Sequence, residues 1–235
     1  MVFAIILSGG TGKRTGLDVP KQYIKIKDRM LIEYSFDAVA HCDAIDYFCI
    51  VASSLWRDKI EGGLNKTAKG KFIGFANPGE NRQASIVSGL HLIKDYCDKN
   101  GLTADSVLIH DAARPNVTAY MMEEYIKALD GHDGVMPVLP MKDTVYLSED
   151  GKNVSELLDR KKIFAGQAPE VFVFDKYLKA NEKLFPNAIK TINGSTEPAV
   201  MAGMDVIMVE GSEKNYKITT KEDLDKFVDE QLKNR

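Results

Sequence analysis

The first part of the chain combines glycines with basic side chains, a pattern typical of phosphate binding. Residues 7–23 read LSGGTGKRTGLDVPKQY and come directly after the apolar run Val2–Leu7. Glycines let a backbone approach phosphate oxygens closely, and Lys13, Arg14 and Lys21 would neutralise their negative charge. A flexible turn with solvated basic residues is the alternative. Both interpretations stay open on this stretch alone.

The spacing of the glycines excludes two familiar phosphate loops. A P-loop, G-x-x-x-x-G-K-[ST], would need a glycine where Leu7 stands and a serine or threonine where Arg14 stands. The dinucleotide fingerprint G-x-G-x-x-G fails because Gly16 comes one place late after Gly10 and Gly12. That fingerprint also works through bare backbone N–H groups, where a Lys-Arg pair is unexpected. A loop that wraps a triphosphate remains possible.

A second polar motif, HDAARP, follows the apolar run Val107–Ile109. Asp111 would stand at the carboxyl end of a strand, where it can hold a divalent cation together with phosphate oxygens. A turn-capping aspartate is the alternative. Arg114 can donate two hydrogen bonds to a phosphate or pair with the neighbouring carboxylate. His110 is more typical of a buried imidazole, and no catalytic role is given to it.

A third motif, GENRQAS, places Arg82 and Ser85 in the first turn of an expected helix. Backbone N–H groups at such a helix start can hold a base or a phosphate. Asn81 in the same motif is equally typical of a simple helix cap. Two further basic residues, Arg160 in LLDRKKIF and Lys217 in NYKITT, come from distant segments of an acidic protein.

Composition limits the class of protein. With 235 residues, a net charge of −3 and a pI near 5.9, the chain fits one domain and lacks the basic surface typical of nucleic-acid binding. No apolar stretch approaches the roughly 20 residues that span a membrane, and no cleavable leader is expected. Cys42, Cys49 and Cys97 have no paired spacing, so they are predicted to be reduced packing thiols of a cytoplasmic protein.

Apolar runs alternate with helical patterns along most of the chain. The expected strands are Val2–Leu7, Tyr47–Val51, Lys71–Ala76, Val107–Ile109, Gly134–Val138 and Val206–Val209. The expected helices are Leu31–Ala40, Trp56–Leu64, 82–97, Thr118–Leu129, Val173–Leu184 and Thr220–Lys233. This rhythm predicts an α/β fold with a mostly parallel sheet and helices on both faces. Ligands of such sheets bind at the carboxyl ends of the strands, where the glycine loop and HDAARP would meet.

Residues 140–165 interrupt this rhythm. Thr144–Leu147 and Val154–Leu158 flank the polar turn SEDGKN, which predicts a hairpin. An isolated two-stranded ribbon is not stable in water, so it must cover its apolar residues on the body or on another subunit. We therefore expect a single domain over residues 1–235 with a protruding β-arm that forms a homodimer.

The motifs taken together resemble a known family. LSGGTGKR with PKQY, GENRQAS, HDAARP, KDTV, LDR, GQAPE and NYKITT occur in the order seen in small CTP-dependent cytidylyltransferases. The sequence is similar to the family of 2-C-methyl-D-erythritol 4-phosphate and ribitol-5-phosphate cytidylyltransferases from about residue 3 to 228. The resemblance implies a Rossmann-like nucleotidyltransferase sheet and a reaction of CTP with a polyol phosphate. The products would be a CDP-polyol and pyrophosphate, with Mg²⁺ or another divalent cation as the cofactor.

The resemblance also implies roles for individual residues. Those expected to contact CTP are Ser8, Gly9, Gly10, Thr11, Gly12, Gly79, Glu80, Arg82, Ser85, Asp111 and Ala112, with Asp111 also the metal ligand. Those expected to act on the transferred phosphate are Arg14, Lys21, Arg160 and Lys217. Those expected to bind the acceptor are Arg114, Thr144 and Arg160, with the acceptor phosphate bound across the dimer interface.

The sequence departs from the family pattern in three places. Thr15 stands where a methionine is usual, and Glu80 stands where an aspartate is common. Residues 193–203, NGSTEPAVMAG, lack the usual Thr-Asp followed by a second acid, which changes the expected geometry near Glu197.

Other functions remain open on the sequence. HDAARP and the seven-residue step from Arg14 to Lys21 favour methylerythritol phosphate as the acceptor, whereas Trp56 and GQAPE favour ribitol phosphate. A nucleotide-binding domain without turnover is a second alternative, but it would have little use for the full set of charged residues. A sugar-1-phosphate nucleotidyltransferase with another base shares the glycine loop but lacks HDAARP.

Overall fold

The computed structural model describes residues 1–10, 19–67 and 70–233. The strands are β1 Val2–Leu7, β2 Lys25–Ile26, β3 Arg29–Met30, β4 Tyr47–Val51, β5 Phe72–Ala76, β6 Ser106–Asp111, β7 Gly134–Pro140, β8 Val145–Leu147, β9 Glu156–Leu158, β10 Phe164–Gly166, β11 Glu170–Val173 and β12 Val206–Glu210. The helices are α1 Leu31–Ala40, α2 Ser54–Thr67, α3 Arg82–Asn100, α4 Ala119–Lys127, α5 Phe174–Glu182, α6 Glu197–Met201 and α7 Lys221–Lys233. Each expected strand and helix is present, with ends that differ by a few residues.

Eight of the strands form one sheet in the order β10-β7-β11-β6-β1-β4-β5, with β12 paired to β7. Strands β5, β4, β1 and β6 run parallel, and β12 runs parallel to β7. Strand β11 is antiparallel to both β6 and β7, and β10 is antiparallel to β7. The predicted mostly parallel sheet is therefore confirmed, with an antiparallel part that the sequence did not predict.

Helices cover both faces of this sheet because its strands are apolar on both sides. Along β1, Ala4 and Ile6 pack on one face in a cluster with α1, α2 and α4. Phe3 and Ile5 pack on the other face in a cluster with α3 and α5. All four residues are fully buried. A strand buried on both faces reads as a continuous apolar run, which is why this segment was readily predicted.

The pairing of β1 with β6 fixes where a ligand site can form. In their parallel register Leu7 lies opposite Asp111, so both strands end at the same edge of the sheet. The backbone N–H of Ala112 donates to the carbonyl of Leu7 over 3.0 Å and extends the pairing past the strand end. The glycine loop and HDAARP consequently leave the sheet side by side, as the sequence predicts.

The predicted β-arm is present as β8 and β9, an antiparallel pair that forms a separate two-stranded sheet. Its turn is closed by the Asp150 carboxylate, which accepts hydrogen bonds from the backbone N–H groups of Lys152 and Asn153. Gly151 in the turn has a φ of 70°, a conformation that favours glycine. Tyr146 and Leu157 on the arm are 57% and 62% exposed, so this chain alone leaves apolar arm side chains uncovered.

The three cysteines are buried and free, which confirms their prediction as packing thiols. Within the described residues, no helix is both long and apolar enough to cross a bilayer.

Candidate active site

A cavity of about 400 Å³ opens at the carboxyl ends of β1 and β6. Its walls come from the glycine loop, the turn before α3, the end of β6 and the segment before α7. The lining residues are Leu7, Ser8, Gly9, Gly10, Lys21, Gln22, Gly79, Glu80, Asn81, Arg82, Ser85, Asp111, Ala113 and Lys217. Most residues expected to contact a nucleotide are thus gathered in one place.

The start of the glycine loop is clamped by the 3-10 turn Lys21–Tyr23. The side-chain amide of Gln22 donates to the carbonyls of Ser8 and Gly10 over 2.8 and 2.6 Å. The Tyr23 hydroxyl donates to the same Ser8 carbonyl over 2.7 Å and accepts from the Ser8 hydroxyl over 2.9 Å. Gln22, Tyr23 and Ser8 are all buried. This clamp fixes the backbone of Ser8–Gly10 before any ligand binds.

Close packing explains why glycine is needed at two positions of the cavity wall. A Cβ atom at Gly9 would lie 2.7 Å from the Cβ of Pro78, and one at Gly79 would lie 2.5 Å from the Cβ of Ala84. Both distances are shorter than atoms can approach, so another residue at Gly9 would push the loop away from Pro78, and one at Gly79 would distort the turn before α3.

The turn before α3 is held by its own polar side chains. Asn81 is the N-cap of the helix, and its side chain accepts from the backbone N–H of Ala84 over 2.8 Å. The Ser85 hydroxyl accepts from the N–H of Gly79 over 3.0 Å and donates to the carbonyl of Asn81 over 2.8 Å. Both hydrogen bonds of the Ser85 hydroxyl therefore stabilise this turn. Glu80 is exposed and is the acidic side chain of the turn that lines the cavity.

Asp111 is the electrostatic centre of the cavity. Arg82 donates to its Oδ1 from Nε and Nη2 over 3.1 and 3.0 Å, and Lys217 donates to its Oδ2 over 2.8 Å. Burial alone would raise the pKa of the Asp111 carboxyl, but these two cations hold it well below its usual range. Asp111 is therefore ionised at neutral pH and stands between two basic side chains that can also reach phosphate.

A second buried carboxylate, Glu170, lies behind Arg82. Its Oε2 is 3.9 Å from Nη2 of Arg82, and its Oε1 accepts from the hydroxyl of Ser195. Burial raises the pKa of Glu170, while the Arg82 guanidinium acts in the opposite direction. The guanidinium of Arg82 thus lies between two acidic groups.

The segment before α7 is anchored to the loop after β6. Arg114 donates to the carbonyl of Asn215 over 2.6 Å, and the N–H of Ile218 donates to the carbonyl of Ala113 over 2.8 Å. Lys21 donates to the carbonyl of Ile218 from the other side. These contacts bring Lys217 to Asp111, so Arg114 supports the cavity although it does not line it.

Several residues expected at the site lie elsewhere in the structure. Ala112 is fully buried beneath the cavity, and its neighbour Ala113 lines the wall instead. Thr144 and Arg160 are exposed at the base of the arm, outside the cavity lining, and Arg160 donates to the carbonyl of Lys142. Three of the expected site residues, Thr11, Gly12 and Arg14, belong to the part of the glycine loop that lies outside the described residues.

His110 is fully buried, in agreement with the expectation for it. Its Nε2 lies 3.3 Å from the Ser35 hydroxyl, and its Nδ1 has no partner within the described residues. Burial lowers the pKa of His110 to about 4, so the imidazole is neutral at physiological pH.

Three residues with direct roles at the site were not predicted from the sequence, namely Gln22, Tyr23 and Glu170. Gln22 and Tyr23 belong to the PKQY motif. The side chain of Gln22 is neutral and its partners are backbone carbonyls, so no pattern of charge or spacing in the sequence indicates its role. Glu170 was part of GQAPE, yet nothing local distinguishes it from a solvated acid at a strand start.

The cavity can neutralise a strongly anionic ligand. It combines a preformed glycine backbone, three basic side chains and one ionised carboxylate at a strand end. This arrangement suits a polyphosphate, because backbone close approach and fixed cations act together on phosphate oxygens.

Comparison with known proteins agrees with this chemistry. The family model described as IspD, 2-C-methyl-D-erythritol 4-phosphate cytidylyltransferase, matches residues 2–228. The enzyme of that name from Caldicellulosiruptor saccharolyticus is 35% identical, over 94% of this chain and 93% of the relative. The ribitol-5-phosphate cytidylyltransferase of Lacticaseibacillus paracasei is 25% identical, over 97% of this chain and 96% of the relative. A bifunctional relative is longer, and the chain spans 54% of it.

The fold also matches solved structures. The crystal structure of 4-diphosphocytidyl-2C-methyl-D-erythritol synthase from Anaerococcus prevotii superimposes with a TM-score of 0.81 at 25% identity. The match covers 99% of this chain and 96% of that one.

Proposed function

The chain belongs to the 2-C-methyl-D-erythritol 4-phosphate cytidylyltransferase family, whose members are CTP-dependent enzymes, and we propose that it joins CTP to methylerythritol phosphate. An oxygen of the acceptor phosphate attacks the α-phosphorus of CTP. A new P–O bond forms as the bond to the bridging oxygen of the β-phosphate breaks, and pyrophosphate leaves.

The observation that carries this proposal is the charged centre at the end of β6. Asp111 is held between Arg82 and Lys217 inside a cavity that is also lined by Ser8–Gly10, the segment that Gln22 holds in place. Two anions must meet in this reaction, so neutralising and aligning their phosphates supplies most of the catalysis. No covalent nucleophile is required.

Roles for the individual side chains follow from their places in the cavity. The loop Ser8–Gly10 and Lys21 would hold the triphosphate, and Arg14 would join them. Lys21 and Lys217 would stabilise the charge that grows on the phosphates as pyrophosphate leaves. Gly79, Glu80 and Arg82, at the start of α3, would contact the cytidine.

A divalent cation fits the donor set only as a partner of the substrate. Within the described residues no group of three or more His, Cys, Asp or Glu side chains could hold a metal on its own. Mg²⁺, however, commonly takes one or two carboxylates and completes its shell with phosphate oxygens and water. Asp111, ionised and at the strand end, would hold Mg²⁺ in this way, and the metal would supply charge neutralisation on the triphosphate.

The acceptor would be bound with help from the arm of a second subunit. Thr144 and Arg160 are exposed at the base of the arm, and apolar side chains such as Leu157 are largely exposed within the described part of the chain. A homodimer through residues 140–165 would bury those side chains and bring the two polar residues to a partner's cavity. Sedimentation at micromolar concentration tests this assembly: a fully active monomer would contradict it.

Ribitol 5-phosphate is the second candidate acceptor, favoured by the ribitol-phosphate relative and by Trp56 and GQAPE. Trp56 stacks on Tyr23 with ring centroids 4.3 Å apart and does not line the cavity, so its influence on the acceptor would be indirect. Release of pyrophosphate from CTP and Mg²⁺ with each polyol phosphate in turn distinguishes the two.

A further inference from the structure

Glu170 is an acidic side chain whose burial calls for an explanation. It begins β11, lies opposite Ile109 in the pairing with β6, and is only 8% exposed. One carboxylate oxygen accepts from Ser195, and the other has no hydrogen-bond partner within the described residues. A buried carboxylate is costly unless a charged partner compensates it.

The compensating partner is Arg82. Its Nη2 is 3.0 Å from Oδ1 of Asp111 and 3.9 Å from Oε2 of Glu170, so one guanidinium is attracted from two directions. Lys217 forms its ion pair with the second oxygen of Asp111 and not with Glu170. Among the described residues, Arg82 is the cation that forms an ion pair with Glu170.

This arrangement has a consequence when a nucleotide enters the cavity. If Asp111 then also holds a cation bound to the phosphates, as proposed above, its charge is shared and its attraction for Arg82 weakens. Glu170 lies behind the cavity wall and is not one of its lining residues, so a ligand in the cavity does not compete directly for its carboxylate.

We propose that Glu170 is a positioning residue that keeps the Arg82 guanidinium aligned toward the bound nucleotide; this inference rests on the proposed function. Glu170 does not touch the substrate and acts through Arg82.

The segment that departs from the family pattern supports this role. The Glu197 carboxylate accepts from the backbone N–H of Asn193 over 2.8 Å and closes a turn around Ser195. Ser195 is 1% exposed, and its hydroxyl donates to Glu170. The unusual residues 193–197 therefore hold Glu170 in place, and through it they reach Arg82.

A double-mutant cycle on CTP binding tests the proposal. Glu170→Gln keeps the side-chain volume and can still accept from Ser195, but it removes the charge that attracts Arg82. Calorimetry should show the Kd for CTP rising about 10-fold in this variant, and changing by less than about twofold when the same change is made in an Arg82→Gln protein. The matched control is Glu33→Gln, the same change at a half-buried carboxylate on α1 that accepts from the backbone N–H of Met30 and lies outside the cavity lining. It should leave CTP affinity unchanged.

The outcomes separate this inference from the proposed function. Absence of CTP binding by the unchanged protein would overturn both. Normal binding by the unchanged protein, with equal losses from Glu170→Gln in both backgrounds or no loss in either, would overturn the role of Glu170 alone. A loss in the Glu33→Gln control as large as that in Glu170→Gln would likewise reduce Glu170 to a structural residue.

Discussion

The ammonium group of Lys217 lies 2.8 Å from Oδ2 of Asp111, although 106 residues separate them in the chain. Asp111 ends a central strand, and Lys217 belongs to the segment that Arg114 and Lys21 anchor from two sides. The charged centre therefore depends on contacts between the first, middle and last parts of the chain. Changes in these anchoring residues should affect phosphate chemistry more than folding.

Lys21 should matter for turnover because it would act on charge that develops in the transition state. Lys21→Ala is expected to lower kcat by about 10²-fold, a typical loss for such a donor. Steady-state pyrophosphate release measures this. Lys25→Ala, an exposed lysine outside the cavity lining, is the control and should turn over normally. Normal turnover in the Lys21 variant would reduce that residue to a structural contact.

Gln22 should matter for CTP affinity because it shapes the glycine loop. Gln22→Glu keeps the shape of the side chain but places a carboxylate against the carbonyls of Ser8 and Gly10. Two buried hydrogen bonds are lost and like partial charges face each other, so we expect the Kd for CTP to rise at least about 10-fold. Calorimetry beside Gln231→Glu, the same change on α7, measures the effect. Equal affinity in the two variants would refute the clamp.

Arg160 should serve the acceptor and not the nucleotide. Arg160→Lys keeps the charge but loses the planar fork that can donate two hydrogen bonds to a phosphate. The KM for the polyol phosphate should rise about 10- to 100-fold, with CTP affinity nearly unchanged. Kinetics and calorimetry on the same variant give both values, with Lys161→Ala as a neighbouring control. Parallel losses of both substrates would place Arg160 in the nucleotide site.

Buried His110 predicts how stability depends on pH. Its pKa is about 4 in the folded protein against 6.5 for the free side chain, so between these values the unfolded chain binds a proton that the folded chain does not. Stability should therefore fall as pH drops from 6.5 to 4, by about 3 kcal/mol from this residue.

Urea unfolding at several pH values checks this expectation for His110. His110→Gln should flatten the dependence in that range, whereas His91→Gln, at an exposed position, should not. An unchanged slope in His110→Gln would show that other groups are responsible.

The elements that could be predicted from the sequence are those determined by a short run of neighbouring residues. Apolar runs such as Val2–Leu7 identified buried parallel strands, and Asp111 after one of them identified the ligand edge. Strand β11 was not predicted, because Glu170–Val173 is only four residues long and runs directly into α5. Its antiparallel direction also follows from the inserted arm, which returns the chain without a helical crossover.

The residues that hold the site in shape were harder to predict for a different reason. Gln22 contacts backbone carbonyls, and Glu170 on β11 contacts Arg82 at the start of α3, 88 residues earlier in the chain, so neither contact has a characteristic sequence spacing. Sequence motifs identify the side chains that contact the ligand. The side chains that position those residues are identified only by tertiary contacts, which the sequence does not show.

The most direct test of the account is pyrophosphate release from CTP with each of the two polyol phosphates. We predict turnover with 2-C-methyl-D-erythritol 4-phosphate that requires a divalent cation, is abolished by excess chelator, and exceeds turnover with ribitol 5-phosphate. Higher turnover with ribitol 5-phosphate would contradict the proposed acceptor. No CTP-dependent release with either compound, or equal use of all four nucleoside triphosphates, would contradict the central claim.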